Sequence, residues 1–136
     1  MQFGYIKHLA ELTANESVRD VIITVPAYYT QFERDAVADA VEVAGLRLLA
    51  LINDGTAVAV NYAMTRTFPT PEVHVIYDIG SSGIRATVAN FTTGKDKTGA
   101  PQTQIKVLGY GYDRTVGGIE LDRRLREILA DAFNEK

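Results

Sequence analysis

The sequence predicts an α/β fold in which an αβαβα segment is followed by a βββα segment, and three observations carry that prediction. Apolar residues recur at helical spacing over residues 3–14 and 31–44, while the stretches after each of them are short and rich in β-branched or aliphatic residues. Pro26 and Gly45 fall where a strand and a helix should stop. Beyond Phe68-Pro69-Thr70-Pro71, the best linker in the chain, the pattern changes to three strands and one long helix.

Each element follows from its own residues. Phe3, Ile6, Leu9, Ala10 and Leu12 mark the first helix, and Val18 to Val25 is a strand that Pro26 ends by lacking a backbone donor. From Gln31 to Ala44, Phe32, Ala36, Val37, Ala40, Val41 and Ala44 trace one helical face, closed by Gly45. Leu46 to Ile52 is almost wholly apolar, which predicts a strand buried on both faces and paired in parallel through a helical crossover. Asn53-Asp54-Gly55-Thr56 opens a third helix running to about Arg66, with Ala57, Val60 and Met64 as candidates for burial. In the second half, Val73–Tyr77, Ile84–Phe91 and Gln104–Gly109 read as strands. A polar loop from Gly94 to Pro101 joins the last two, and a helix spans Gly118 to Asn134.

Composition narrows the function. A chain of 136 residues with 46% hydrophobic content can bury one sizeable core, and a net charge of −3 with mixed signs argues against nucleic acid as a partner. The apolar runs Val21–Ile23 and Leu48–Ile52 are far shorter than the roughly 20 residues of a membrane span, so no membrane contact is expected. Residues 1–20 lack the basic start and apolar centre of a signal peptide. The absence of cysteine excludes disulfides, thiolate zinc sites and a cysteine nucleophile, and His8 and His74 have no metal-ligand partner at useful spacing. Asn15-Glu16-Ser17 and Asn90-Phe91-Thr92 are glycosylation sequons.

The stretch with most chemical content is Tyr77-Asp78-Ile79-Gly80-Ser81-Ser82-Gly83-Ile84-Arg85. Val73, Val75 and Tyr77 alternate into it and Ile84, Ala86 and Val88 alternate out, which is a β-hairpin pattern. A small-residue turn lets backbone amides face an anion, and a carboxylate at the strand end can hold a magnesium-bound water. The same residues also suit a plain β-turn with a solvated acid.

The order of elements favours the first reading. An αβα end and a βββα start are the two ends of the ribonuclease-H-like lobe, and two such lobes make the actin-like ATPase fold, which binds nucleotide at their join. Specific residues then carry a family resemblance. Val25-Pro26-Ala27-Tyr28-Tyr29, Arg34, Ala44-Gly45-Leu46, Ile52-Asn53-Asp54-Gly55-Thr56-Ala57, the Asp78 hairpin and Gly117-Gly118 occur in the order and spacing of the heat-shock protein 70 nucleotide-binding domain. Asn53-Asp54, the serines after Gly80 and the run Gly111-Tyr112-Asp113-Arg114-Thr115-Val116-Gly117-Gly118 resemble its large endoplasmic-reticulum branch, the hypoxia-upregulated or glucose-regulated chaperones. Ala130-Asp131-Ala132-Phe133-Asn134-Glu135 extends the resemblance to the end of the chain.

The resemblance implies a partial actin-like fold, with residues 1–68 the C-terminal part of the first lobe, residues 69–136 the N-terminal part of the second, and the chain a fragment of one nucleotide-binding domain. It implies ATP or ADP as ligand, its phosphates held by amides of Gly80, Ser81, Ser82 and Gly83, with Gly117 and Gly118 beside ribose and phosphates. Asp54 and Asp78 are implied near the water shell of Mg2+, and Asp78 is the candidate for a catalytic role. Asp54 also reads as an ordinary helix N-terminal acid, and Gly117-Gly118 as a helix-entry turn. Pro26 and Arg34 match positions that relay nucleotide state, though alone they read as a strand terminator and a surface helix residue. General chaperones have threonine where this chain has Gly83, aspartate where it has Arg85 and an acid where it has Ile119, so hydrolysis is expected to be slow or absent. Arg85 itself is expected to face solvent.

For the full-length protein, the resemblance implies residence in the endoplasmic reticulum lumen, chaperone action on unfolded client proteins and nucleotide exchange for a conventional heat-shock protein 70 partner. Two other readings of the sequence stay open. One is an inert partial gene product, with strand edges at Val18–Val25 or Gln104–Gly109 left without neighbours. The other is a metabolic kinase of the actin-like fold.

Overall fold

The computed structural model describes residues 2–95 and 97–135, and the chain divides into two compact units, one up to Ala57 and the other from Val58. Helix α1 (Gln2–Ala14), strand β1 (Asp20–Val25), helix α2 (Gln31–Val43) and strand β2 (Arg47–Asn53) form the first unit, with the opening turn of helix α3 (Asp54–Met64). Strands β3 (Glu72–Ile79), β4 (Ile84–Lys95) and β5 (Pro101–Asp113) and helix α4 (Gly118–Asn134) belong to the second. The predicted order, αβαβα then βββα, is the observed one.

In the first unit β1 and β2 pair in parallel from Asp20 against Arg47 to Val25 against Asn53, joined by the α2 crossover. Thr30 begins α2 with a reciprocal cap: its hydroxyl accepts the Glu33 amide, and the Glu33 carboxylate accepts the Thr30 amide at 2.8 Å. Gly45, at φ +69°, ends the helix in the left-handed conformation that glycine tolerates best. Val25, Val41 and Leu46 are the buried side chains here.

Two expectations for this unit are corrected. Phe32 is 87% exposed, and Ala36 and Ala40 are exposed too, because the stripe that turns inward runs through Arg34, Val37, Val41 and Ala44 instead. Strand β2 is not buried on both faces: Leu49 is 58% exposed. Val21 pairs with Leu48 but Ile22 with Ala50, so Leu49 is an extra residue that breaks the alternation.

The second unit is an antiparallel sheet in the order β3-β4-β5. Its core gathers Ala59, Ala63, Phe68, Ala89 and Phe91, with Tyr62, Ile76 and Ile105 packed against them. Phe91 stacks on Phe68 with ring centroids 4.9 Å apart and meets Tyr62 and His74 edge-on. Within α3, Ala59 and Ala63 are the buried side chains; Val60 and Met64, expected inside, are exposed, and Ala57 is half-buried. Small residues sit on the packed face because the Phe68–Phe91 stack fills the volume. Phe68, expected in a linker, is therefore a core residue.

Strands β4 and β5 run further than predicted, pairing from Ile84 against Asp113 out to Lys95 against Pro101, and so absorb most of the expected polar loop. Asp96 in that loop lies outside the described residues. A bulge at Leu108, where Val88 pairs with Gly109 and Ala89 with Val107, re-phases the far half of β5. Among the described residues, no helix is long and apolar enough to cross a membrane.

Candidate functional site

The candidate site lies in the second unit, where the β3–β4 turn meets the start of α4. Residues 80–83 connect Ile79 to Ile84, and the Gly80 amide closes the turn by donating to the Gly83 carbonyl at 2.9 Å. Two amides from the first turn of α4 then reach back to the loop: Gly118 N–H donates to Gly80 O at 3.1 Å and Ile119 N–H to Ser81 O at 2.9 Å. The predicted glycine pair and the predicted loop, more than thirty residues apart in sequence, are thus one structure. No acceptor among the described residues takes the amides of Ser81 and Ser82.

Two glycines make this docking geometrically feasible. A Cβ on Gly117 would lie 2.7 Å from both Gly83 N and Ser81 O, and 2.9 Å from Gly80 O. A Cβ on Gly83 would lie 2.8 Å from the Asp113 carbonyl oxygen. All of these are backbone atoms, so a side chain could be admitted only by moving the chain. The junction opens onto a pocket of about 300 Å³ lined by Ser81, Ser82, Arg114, Thr115, Gly117, Ile119, Glu120 and Arg123.

Asp78, Asp113 and Glu120 each accept from a neighbouring side chain. Asp78 and Arg85 are direct cross-strand partners, and Arg85 Nη1 donates to Asp78 Oδ2 at 3.0 Å. Arg85 is thereby not the solvent-facing residue expected: its side chain is 23% exposed, half the value for Asp78. Glu120 accepts from Arg123 at 3.0 Å and from Arg124 at 3.3 Å. Asp113 Oδ1 accepts both the Thr115 hydroxyl at 2.6 Å and the Thr115 amide at 2.7 Å. The hydroxyl first, and the amide second, hold the Asp113 carboxyl below the usual carboxylate range.

A depressed carboxylate favours the folded state above its ordinary titration range and loses that effect as the pH falls through its lowered pKa. Thr115→Ala is therefore expected to raise the Asp113 pKa toward the ordinary value of about 3.9. A carbon-detected NMR titration reads this directly, and an unmoved Asp113 midpoint would contradict it.

Asp54, in the first unit, heads α3, and its Oδ1 accepts the Gly55 amide at 2.8 Å. Arg34 is not the surface residue it could have been. It is half-buried and donates to Tyr29 O at 3.2 Å and to Asn53 Oδ1 at 3.0 Å, tying the turn after β1 to the end of β2. Pro26 begins that turn, its carbonyl accepting the Tyr29 amide at 3.1 Å.

The sequence reading missed Arg114, Thr115 and Arg123 as pocket residues. Asp113 and Thr115 did carry a signal, because an Asp two residues before a hydroxyl residue is the pattern of an Asx turn. Arg123 did not, since only the seating of α4 against the loop brings it to the pocket.

The fold and this junction define the class. The αβαβα–βββα chain is a partial actin-like ATPase fold, and it belongs to the Hsp70 family, whose model, described as Hsp70 protein, matches residues 1–136. Among particular proteins, the chain is 44% identical to Hypoxia up-regulated protein 1 of Danio rerio, over all of this chain and 14% of the relative. It is 44% identical to the Xenopus laevis protein of that name, over 22% of the relative, and 41% identical to the Homo sapiens one, over 14%. The chain thus spans less than a quarter of the length of these relatives.

Proposed function

We propose that this chain is the ATP- and ADP-binding segment of an Hsp70-like chaperone of the endoplasmic reticulum lumen, with residues 1–68 closing one lobe and residues 69–136 opening the next. In this reading the phosphates rest at Gly80, Ser81, Ser82 and Gly83, with Gly117 and Gly118 holding the loop in shape. The observation that carries it is the docked loop itself, a turn fixed by two α4 amides in which the amides of Ser81 and Ser82 have no acceptor among the described residues. Serine side chains do not obstruct such a cradle, because the contacts come from the backbone.

Hydrolysis is proposed to be slow or absent. A threonine in place of Gly83 would put its Cβ 2.8 Å from the Asp113 carbonyl, so the junction is closed to the side chain that general chaperones carry there. Asp78, the candidate catalytic acid, is tied to Arg85. Phosphoryl transfer depends on positioned groups around the attacking water, and losing an orienting group or a charge-stabilising finger costs several powers of ten. The proposed role of the full-length protein is accordingly to hold unfolded client proteins and to promote nucleotide exchange on a conventional Hsp70 partner, with ATP acting as a ligand more than as fuel. The similarity to hypoxia up-regulated proteins supports this assignment.

The test is a titration of the full chain with ATP and ADP, paired with a single-turnover hydrolysis assay. Saturable binding with hydrolysis far below that of a general Hsp70 is the expected result. Hydrolysis at the general chaperone's rate would sink the proposed division between binding and catalysis.

A further inference from the structure

The two sequons stand in opposite surroundings. Asn15-Glu16-Ser17 lies in the connection between α1 and β1, and all three residues are exposed. Asn15 follows directly on the last residue of α1 and sits at φ +52°, a left-handed backbone that asparagine tolerates better than most residues. Ending a helix accounts for the asparagine. It does not call for a hydroxyl two residues on, and the bonds that hold this connection use other groups: the Thr13 hydroxyl donates to Leu9 O at 2.9 Å, and the Val18 amide to Glu11 Oε1 at 3.1 Å. Asn15 and Ser17 both edge an open cleft of about 440 Å³, with His8, Glu11, Leu12 and Glu16.

Asn90-Phe91-Thr92 lies inside β4, the middle strand of its sheet. Asn90 is paired with Val73 on one side and Lys106 on the other, and Thr92 is paired with Gln104. The Asn90 Oδ1 is buried, and the flanking Ala89 and Phe91 are fully buried. An enzyme that reads the asparagine and the hydroxyl residue together must lift the whole tripeptide clear of its neighbours. At residues 15–17 no strand or core residue has to move. At residues 90–92, Phe91 would have to leave its stack on Phe68 and β4 would have to leave both its partners, which is an unfolding of the sheet.

Resting on the lumenal residence proposed above, we propose that the folded chain carries an N-linked glycan on Asn15 and none on Asn90. Transfer forms a bond from Asn15 Nδ2 to the anomeric carbon of a lipid-linked oligosaccharide diphosphate. The anomeric C–O bond to the diphosphate breaks, the lipid diphosphate leaves with that electron pair, and the amide gives up one proton to a base of the transferase. A bulky, hydrated glycan suits an exposed connection and not the middle of a sheet.

The experiment sends the full chain into the secretory pathway of cultured mammalian cells behind a cleavable leader. Glycans on the folded product are mapped by peptide mass spectrometry, after a glycosidase that turns each glycan-bearing asparagine into aspartate. The wild type should carry a single glycan, at Asn15, seen also as slower gel migration that the glycosidase reverses. Ser17→Ala should abolish that shift, and Thr92→Ala should leave it in place. A bare Asn15 or a glycan on Asn90 would overturn the proposal, and the wild-type map alone decides this if a variant fails to fold. Because the leader supplies delivery, neither result bears on lumenal residence, which fractionation of cells making the full-length protein reads separately. A full-length protein found outside the lumen would overturn that reading, and the natural modification with it.

Discussion

Gly117→Ala is expected to lower stability by about 1–3 kcal/mol, the range for forcing extra volume into a packed site, and to weaken ADP binding at least tenfold. A single methyl would lie within 3 Å of three backbone atoms of the loop, at Gly80, Ser81 and Gly83, and none of them can swing aside as a side-chain tip could. The backbone at Gly117 is extended, with φ 177°, so the penalty arises from crowding and not from an unfavourable dihedral. To admit the methyl, the loop must lift off α4, stretching the bonds from Gly118 N–H to Gly80 O and from Ile119 N–H to Ser81 O. Urea unfolding and an ADP titration on the same protein would check both effects. A variant with the wild-type midpoint and affinity would show that the loop and α4 are not coupled in this way.

Phe91→Ala carries the largest expected loss of stability, about 3–5 kcal/mol. Phe91 is fully buried, stacked on Phe68, and in contact with Tyr62 and His74, so its removal takes away the shared surface of four rings. Against a typical domain stability of about 5–15 kcal/mol, the loss should shift the urea midpoint steeply or unfold the second unit outright. Since β4 also sets the register of Arg85 against Asp78, the loss should reach the loop as well. An unchanged midpoint would mean that the ring cluster is not the core of that unit.

What was legible in the sequence, and what was not, follows from the reach of each interaction. The helices and strands rest on local periodicity and caps, and Gly118–Asn134 was read with the bounds observed because its amphipathic pattern starts and stops sharply. The loop at Gly80–Gly83 was legible too, since a four-residue turn between two alternating runs leaves few other structures. The failures came where an element must choose which face to bury. In α3 the alanines, not the larger Val60 and Met64, face the ring cluster, because the space is already filled by Phe68 and Phe91. In β2 a single extra residue at Leu49 shifted the phase. Strands β4 and β5 outran their apolar residues because backbone pairing, once in register, carries polar residues such as Thr92 opposite Gln104.

The Arg85–Asp78 pair was within reach of simple counting. If Ile79 and Ile84 close the turn, Asp78 and Arg85 must face each other across the strands. The alternation rule that sent Arg85 toward solvent gave only its side of the sheet, without asking which residue stood beside it. The docking of Gly117 onto Gly83 was beyond such counting, because it joins the ends of β5 and α4 to a turn that only the folded sheet brings near.

The central claim is that the turn at Gly80–Gly83, seated on α4, is a backbone cradle for phosphate. Amide exchange resolved to single residues by NMR, with and without ADP, tests it most directly. The account predicts that the amides of Ser81 and Ser82 exchange rapidly in the free chain and become protected when ADP binds. Saturation with ADP that leaves those two amides unprotected, while others slow, would place the phosphates elsewhere and contradict it.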